Sequence, residues 1–305
     1  MRGLFATRNR AAGVIARTLG RLAASDLPLL LEGETGVGKS FVAARAHRVG
    51  RRGRPLIVVD CGAVPATLVA SVLFGHRAGA FTDATRSHTG MLEKACDGTL
   101  VLDRVDALPQ EGQTALLRAL EERAFFPVGT AAPRPFRARV IALAGSGLRQ
   151  RVDGGEFRPD LYHRLAGFHA TLPPLRHRHE DILPFAAAVL RRATKKGRRT
   201  VELDPEAASL LSAYPWPGNF RELETVLTRV LLQVEGPSVR AADIGLPAGA
   251  WPGVAELAAE RAKPLAEVER LYAMWVLGLE GGNVSRAARA LGVSRRTLIR
   301  WRRAT

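Results

Sequence analysis

The sequence predicts an α/β protein in which a parallel sheet covered by helices occupies roughly the first 170 residues and all-helical segments follow. Three observations carry this reading. Short apolar runs at 29–31, 56–59, 99–102 and 139–143 alternate with helix-like stretches, the pattern of strands buried on both faces beneath crossover helices. A glycine-rich segment, Gly33-Glu34-Thr35-Gly36-Val37-Gly38-Lys39-Ser40, follows the first run and opens a helix. After Leu172-Pro173-Pro174-Leu175 the strand-like runs stop.

Composition bounds the function class. The 305 residues predict roughly two domains at about 150 residues each, or one large domain with an appendage. With 47% hydrophobic and 24% charged residues, the chain is neither disordered nor collagen-like. Cys61 and Cys96 are too few for a disulfide framework or a four-ligand zinc site, so a reducing cytosol is expected. No apolar run approaches the roughly 18 residues of a membrane helix, and the first residues lack the apolar stretch of a signal peptide. A cytoplasmic location with no membrane partner is the expectation. The net charge of +16 favours polyanionic partners, nucleic acid first. Most of the cations are arginine, which the codon bias of a GC-rich genome explains as well as phosphate binding does. Position is more informative than the total: residues 281–305 hold seven arginines and no acidic residue.

Four regions follow. Residues 1–172 form the α/β nucleotide-binding part and 173–234 a small helical domain. Within it Asp204-Pro205-Glu206 reads as an N-cap followed by proline at the first helical position. Asn219 is expected to cap another helix with Glu222 as its capping-box partner, and Leu223, Val226, Leu227, Val230 and Leu231 on one face. Residues 235–264, rich in Gly and Pro, read as a linker. Residues 265–305 make a final helical module.

The segment from Gly33 to Ser40 matches G-x-x-x-x-G-K-[ST] in the strand-then-helix context that the motif requires. Its glycines let backbone N–H groups wrap phosphates, the helix N-terminus adds its positive end, Lys39 reaches the β/γ-phosphates and Ser40 binds Mg²⁺. Further on, the run Gly98-Thr99-Leu100-Val101-Leu102-Asp103 ends in a carboxylate suited to hold Mg²⁺. ATP and Mg²⁺ are therefore the expected cofactors.

From about residue 4 to 244 the chain resembles the AAA+ domain of bacterial sigma-54-dependent transcription activators. The resemblance is carried by Glu32 to Ser40, by Leu73-Phe74-Gly75-His76 leading into Gly79-Ala80-Phe81-Thr82-Asp83-Ala84, by the run Phe157-Arg158-Pro159-Asp160-Leu161-Tyr162-His163-Arg164-Leu165, by Leu172-Pro173-Pro174-Leu175-Arg176, and by the run from Tyr214 to Leu223. It implies a P-loop sheet with a helical lid, assembled as a ring that uses ATP hydrolysis to remodel sigma-54 RNA polymerase on promoter DNA. It also implies arginine fingers at Arg158 and Arg164, reaching a neighbouring protomer's γ-phosphate, a phosphate contact from the lid at Arg221, and sigma-54 contact through Phe81 and Thr82. A cation placed where charge develops in phosphoryl transfer contributes roughly 10³–10⁵ in rate.

Four departures from the family pattern stand out. The Glu that follows the strand-end Asp is here Arg104, and a guanidinium cannot act as a general base. The Asn that restrains that Glu is here Asp60, so an Asp60–Arg104 ion pair is expected, with Asp106 left as a weak substitute base. The polar Thr-Asn pair after the fourth strand is here Ala144-Gly145, which offers the γ-phosphate no side-chain donor. In the sigma-contacting loop, the second Gly is here Asp83. Nucleotide binding with poor turnover is the expected consequence.

The last module, residues 282–301, reads as two helices around a tight turn. Asn283 caps the first, Gly292 takes the turn, Ser294 caps the second, and Val293 with Leu298 forms a hydrophobic staple. This spacing is that of a helix-turn-helix and resembles the Fis-type domain that closes most sigma-54 activators. Arg295, Arg296 and Thr297 fall in the first turn of the recognition helix, where base edges are reached, and Arg300, Arg302 and Arg303 suit phosphates. Leu271, Trp275 and Leu279 supply either a dimer interface or the module's own core. The histidines at 163, 169, 177 and 179 lack the acidic or Cys partners of a metal site.

The expected function is that of a DNA-binding transcriptional regulator of the sigma-54 activator type, an ATP-binding homo-oligomer that acts through RNA polymerase and hydrolyses ATP weakly. With Gly33 so near residue 1, no preceding receiver domain is expected. The alternative is a nucleotide-gated repressor or scaffold without polymerase remodelling. A second is an active ATPase that remodels some other DNA complex.

Overall fold

A computed structural model describes residues 5–81, 84–194, 201–234, 236–246, 269–270, 272–274, 276–277, 280 and 283–303. The chain divides into two compact units, one of 10–173 with the residues before Thr7, the other of 7–9 and 174–305.

The first unit is built on five strands: β1 (Leu29–Glu32), β2 (Leu56–Asp60), β3 (Thr99–Asp103), β4 (Arg139–Ala144) and β5 (Phe168–Thr171). They pair in parallel in the order β2-β3-β4-β1-β5. The four apolar runs are β1 to β4. The fifth strand, Phe168-His169-Ala170-Thr171, buries only Ala170 fully and has no apolar run to announce it. Helices α1 (Arg10–Leu22), α2 (Lys39–Gly50), α3 (Val69–Phe74), α4 (Met91–Ala95), α5 (Gln110–Glu122), α6 (Leu148–Asp153) and α7 (Pro159–Leu165) accompany the sheet.

Alternation along the strands divides the core in two. Leu30, Leu100, Leu102, Val140 and Ala142 face Leu116 and Leu120 of α5 and Leu161 and Leu165 of α7. Leu29, Leu31, Val101, Ile141 and Leu143 face Leu19 of α1 and Val42, Ala43 and Ala46 of α2. Each fully buried leucine contributes about 1.5–3 kcal/mol. Arg139 opens β4 while only 2% exposed. Its guanidinium donates to Leu22 O (2.9 Å) and Ala23 O at the carbonyl end of α1, and to Leu27 O (3.2 Å) in the loop before β1. Burial lowers its pKa to about 10, with the nearby Arg51 adding to the effect, and it stays cationic at neutral pH.

The second unit holds α8 (His179–Thr194), α9 (Pro205–Ala213), α10 (Asn219–Gln233), α11 (Val284–Ala290) and α12 (Arg295–Arg303). Asp204 caps α9 by accepting from Ala207 N (2.6 Å), with Pro205 at the first helical position. Asn219 does not cap α10. Gly218 is the cap residue, and Glu222 Oε2 accepts from its N–H (2.8 Å). Asn219 is instead wholly buried at φ 53°, its Oδ1 accepting from Leu175 N (2.7 Å). The turn after Trp216 points its amide inward, where a backbone donor needs an acceptor more than the helix end does.

Asp181 is a second buried hub. It accepts from Thr7 Oγ1 (2.5 Å), Arg8 N (2.6 Å) and the guanidinium of Arg178 (2.8 Å). Burial alone would raise its carboxyl, but these donors outweigh it and hold the group below the usual carboxylate range.

Candidate nucleotide site and DNA-reading helices

The glycine-rich segment takes up the conformation its composition anticipates. Gly33, Gly36 and Gly38 lie at φ 146°, 82° and 100°, a region that residues bearing a Cβ rarely enter. A Cβ at Gly33 would stand 2.8 Å from Leu172 O, so backbone packs directly on backbone there. At Gly38, by contrast, no heavy atom lies within 4 Å of that position. Gly38 is the N-cap of α2 and provides no side-chain cap, which leaves the helix mouth to an anion. Lys39 Nζ crosses the loop to Gly33 O (2.6 Å) and Glu34 O (3.0 Å). Glu34 is half-buried, Thr35 exposed, Val37 buried and Ser40 exposed.

Asp103 stands half-buried at the end of β3, and its Oδ1 accepts from Arg104 N (2.9 Å). Arg104 turns left-handed at φ 52°. Its guanidinium meets Asp60 Oδ1 through Nε (2.7 Å) and Nη2 (2.6 Å), so the expected ion pair forms. A Cβ at Gly62 would come within 2.6 Å of Arg104 Cζ, so a larger residue there would push the guanidinium aside.

Behind the loop lies a buried carboxyl that sequence reasoning missed. Glu32, 7% exposed, is the residue just before Gly33. His169 Nε2 approaches its Oε1 to 3.2 Å. Burial pushes the Glu32 carboxyl up, His169 opposes this and Asp106 adds to it. Its signal in the sequence was an acidic residue closing an otherwise apolar strand. Ala144 pairs in register with Glu32, and a side chain at Gly145 would meet Asp106 Oδ2 at 3.3 Å. Cys61 is inert, its thiol pushed up to about 12 by burial and by Asp60, Asp103 and Asp106.

The arginines are held in different ways. Arg158 is the N-cap residue of α7 and is clamped to Asp160 through Nε (3.0 Å) and Nη2 (2.7 Å). Arg164 is exposed on α7 and donates to Leu120 O (2.9 Å). Arg221 is exposed on α10 in the second unit. Phe81 is 40% exposed, its ring edge-on to His76 at 4.9 Å. Thr82 and Asp83 lie outside the described residues, as do most of the linker and Leu271, Trp275 and Leu279.

In the helix pair, Asn283 Oδ1 accepts from Ser285 N and Arg286 N (both 3.1 Å). Gly292 turns at φ 65°, and Ser294 Oγ accepts from Thr297 N (3.0 Å). Val293, Leu298, Ala287 and Ala288 share one apolar cluster. Arg295, Arg296 and Arg300 are exposed on α12, while the Thr297 hydroxyl is engaged with that of Ser294 (2.8 Å). Of Arg302 and Arg303 only the helical backbone is described.

A phosphate-ready loop at the carboxyl edge of a parallel sheet, joined in one chain to a helical unit with a basic helix pair, defines a P-loop nucleotide-binding protein equipped to meet DNA. More particularly, the chain belongs to the sigma-54 interaction domain family, whose model matches residues 5–171. Residues 176–249 match the AAA+ ATPase lid domain and 264–303 the bacterial regulatory protein, Fis family. Regulatory protein AtoC of Escherichia coli is 37% identical over 97% of this chain and 66% of its own length. Transcriptional regulatory protein ZraR of Klebsiella oxytoca is 38% identical over 91% of this chain and 63% of its own. Among solved structures, NtrX from Brucella abortus in complex with ADP superposes with a TM-score of 0.73 at 28% identity, covering 97% of this chain and 68% of NtrX. The same protein has been solved in complex with ATP. The chain spans about two thirds of the length of these relatives.

Proposed function

We propose that this chain is a DNA-binding transcriptional regulator that binds ATP with Mg²⁺ at the glycine loop and acts through sigma-54 RNA polymerase as a homo-oligomer in the cytoplasm. The observation that carries this reading is the loop itself: three glycines at positive φ, an uncapped helix mouth and Lys39 across the opening. Lys39 and the first-turn amides of α2 bind the phosphates, and Ser40 and Asp103 hold the metal. Mg²⁺ neutralises phosphate charge when bound. Arg158 and Arg164 reach a neighbouring protomer's phosphate, Arg221 contacts phosphate from the lid, and Phe81 with Thr82 meets sigma-54. Arg295, Arg296 and Thr297 read base edges, and Arg300 binds the DNA backbone. Turnover is slow, because the residue after Asp103 is a cation already paired to Asp60.

The ion pair and the bare Ala144-Gly145 also favour the second reading, a repressor or scaffold in which nucleotide sets assembly only. Turnover measured at rising protein concentration, together with capture of purified sigma-54, separates the two. Concentration-dependent hydrolysis with capture supports the activator. ATP binding with neither supports the scaffold, and no ATP binding rejects both.

A further inference from the structure

The face of α5 toward Arg158 carries two glutamines. Gln113 is 1% exposed. Its Oε1 accepts from Arg158 N (2.8 Å), and its Nε2 donates to Leu108 O (2.8 Å) and Glu156 O (3.1 Å). One turn earlier, Gln110 Nε2 donates to Gly155 O (3.2 Å) and Glu156 O (3.1 Å). A second bridge runs in parallel, from Arg151 Nη1 to Asp106 O (3.0 Å). Asp106 and Leu108 belong to the short turn, Val105–Ala107 and its C-cap, that directly follows Asp103 and Arg104. The turn leaving the carboxylate end of β3 and the segment entering α7 are thus fastened to one buried amide.

A buried amide is costly unless its bonds are made, and packing α5 against the sheet needs only apolar side chains. What an amide adds is a stiff link, since hydrogen bonds tolerate only a few tenths of an ångström before they weaken. Arg158 is consequently mounted at two points: Gln113 holds its backbone and Asp160 its guanidinium.

We propose that Gln113 is a positioning residue that transmits displacement of the turn after Asp103 to Arg158 of the same protomer, and so to the neighbouring protomer's nucleotide. This rests on the roles assigned above to Asp103 and Arg158. Displacement at the metal-holding carboxylate moves Leu108 O, the Gln113 amide follows, and the Arg158 N–H moves with it.

Amide hydrogen exchange of the full chain, read in peptides covering 103–108 and 155–158 with and without Mg·ATP, tests this alongside a direct ATP-binding titration. In the wild type both peptides change, 155–158 by about threefold or more. Gln113→Leu keeps ATP affinity within about threefold and keeps the response at 103–108, but loses the response at 155–158. A residue that served packing alone would not separate those two responses. Gln113→Glu retains the acceptor for Arg158 N and lacks the donors to Leu108 and Glu156, so Arg158 exchanges slowly with or without ATP. It carries the test if the leucine variant does not fold. An undiminished ATP response at 155–158 in the variants, or ATP binding to the wild type with no response there, overturns the coupling. Absence of ATP binding to the wild type overturns the nucleotide reading itself, and the coupling with it.

Discussion

Arg104 and Asp60 face one another across the carboxyl ends of two neighbouring parallel strands, with Nη2 2.6 Å from Oδ1 and Gly62 beneath the guanidinium. Both side chains are about half exposed, so a double-mutant cycle on the pair returns only about 0.2–1 kcal/mol of coupling. The pair's weight lies in what it does to position 104. Arg104→Glu alone brings two carboxylates together and gains little turnover. Arg104→Glu with Asp60→Asn raises ATP turnover by about tenfold or more, against the roughly 10²–10⁴ that a placed general base supplies. Equal rates for single and double variants would remove the pair from the account of slow hydrolysis.

Lys39 spans the loop opening, where it makes charge-assisted bonds that a triphosphate would take over. Lys39→Ala weakens ATP binding by about 10–100-fold, the equivalent of roughly 1.5–3 kcal/mol. Calorimetric titration checks this, and unchanged affinity would move the nucleotide elsewhere.

Glu32 gives a pH dependence with a definite sign. Its carboxyl is raised above 4.5 in the folded chain, so the folded state keeps a proton that the unfolded state has lost, and stability falls as pH climbs from 4.5 through the raised value. Glu32→Gln removes that loss. The difference in melting temperature between variant and wild type is smallest near about pH 4 and grows in the variant's favour toward about pH 7. A difference that shrinks with pH contradicts the assignment.

Asn219 buries an acceptor for Leu175 N. Asn219→Ala leaves that amide unpaired and costs about 1–3 kcal/mol of stability, measurable by denaturant unfolding. A neutral result would mean that water replaces the side chain.

On α12, Arg295→Ala or Arg296→Ala costs about 1–3 kcal/mol toward a specific site and relaxes preference at one base position. Arg300→Ala weakens binding to all duplexes alike and lowers the salt slope by about 1. Identical effects from all three would assign every contact to the DNA backbone.

Much of this could be read from the chain alone, and the exceptions share a cause. Strands β1 to β4 are apolar runs, whereas β5 alternates with His169 and Thr171 and is a strand only because β1 needs a partner on its free side. The Asp60–Arg104 pair was legible only through the resemblance, which sets the two residues where the family has an interacting Asn and Glu, and the parallel pairing of β2 with β3 brings them together. Gln113 and Glu32 were not, since a glutamine on a helix and a glutamate at a strand end ordinarily face water, and only the packing of distant segments buries them. Asn219 misled for the same reason: its local pattern fits a cap, while a backbone amide 44 residues earlier in the chain claims its oxygen.

Asp181 sets a rule for anyone dissecting the molecule. Its carboxylate is gripped from Thr7 and Arg8, far upstream of the helices it stands among. A fragment begun at α1 would strip two donors from a deeply placed anion, and a fragment begun at Pro174 would do the same. The helical unit is therefore discontinuous in sequence, and a faithful excision must carry residues 7–9 as a short strap.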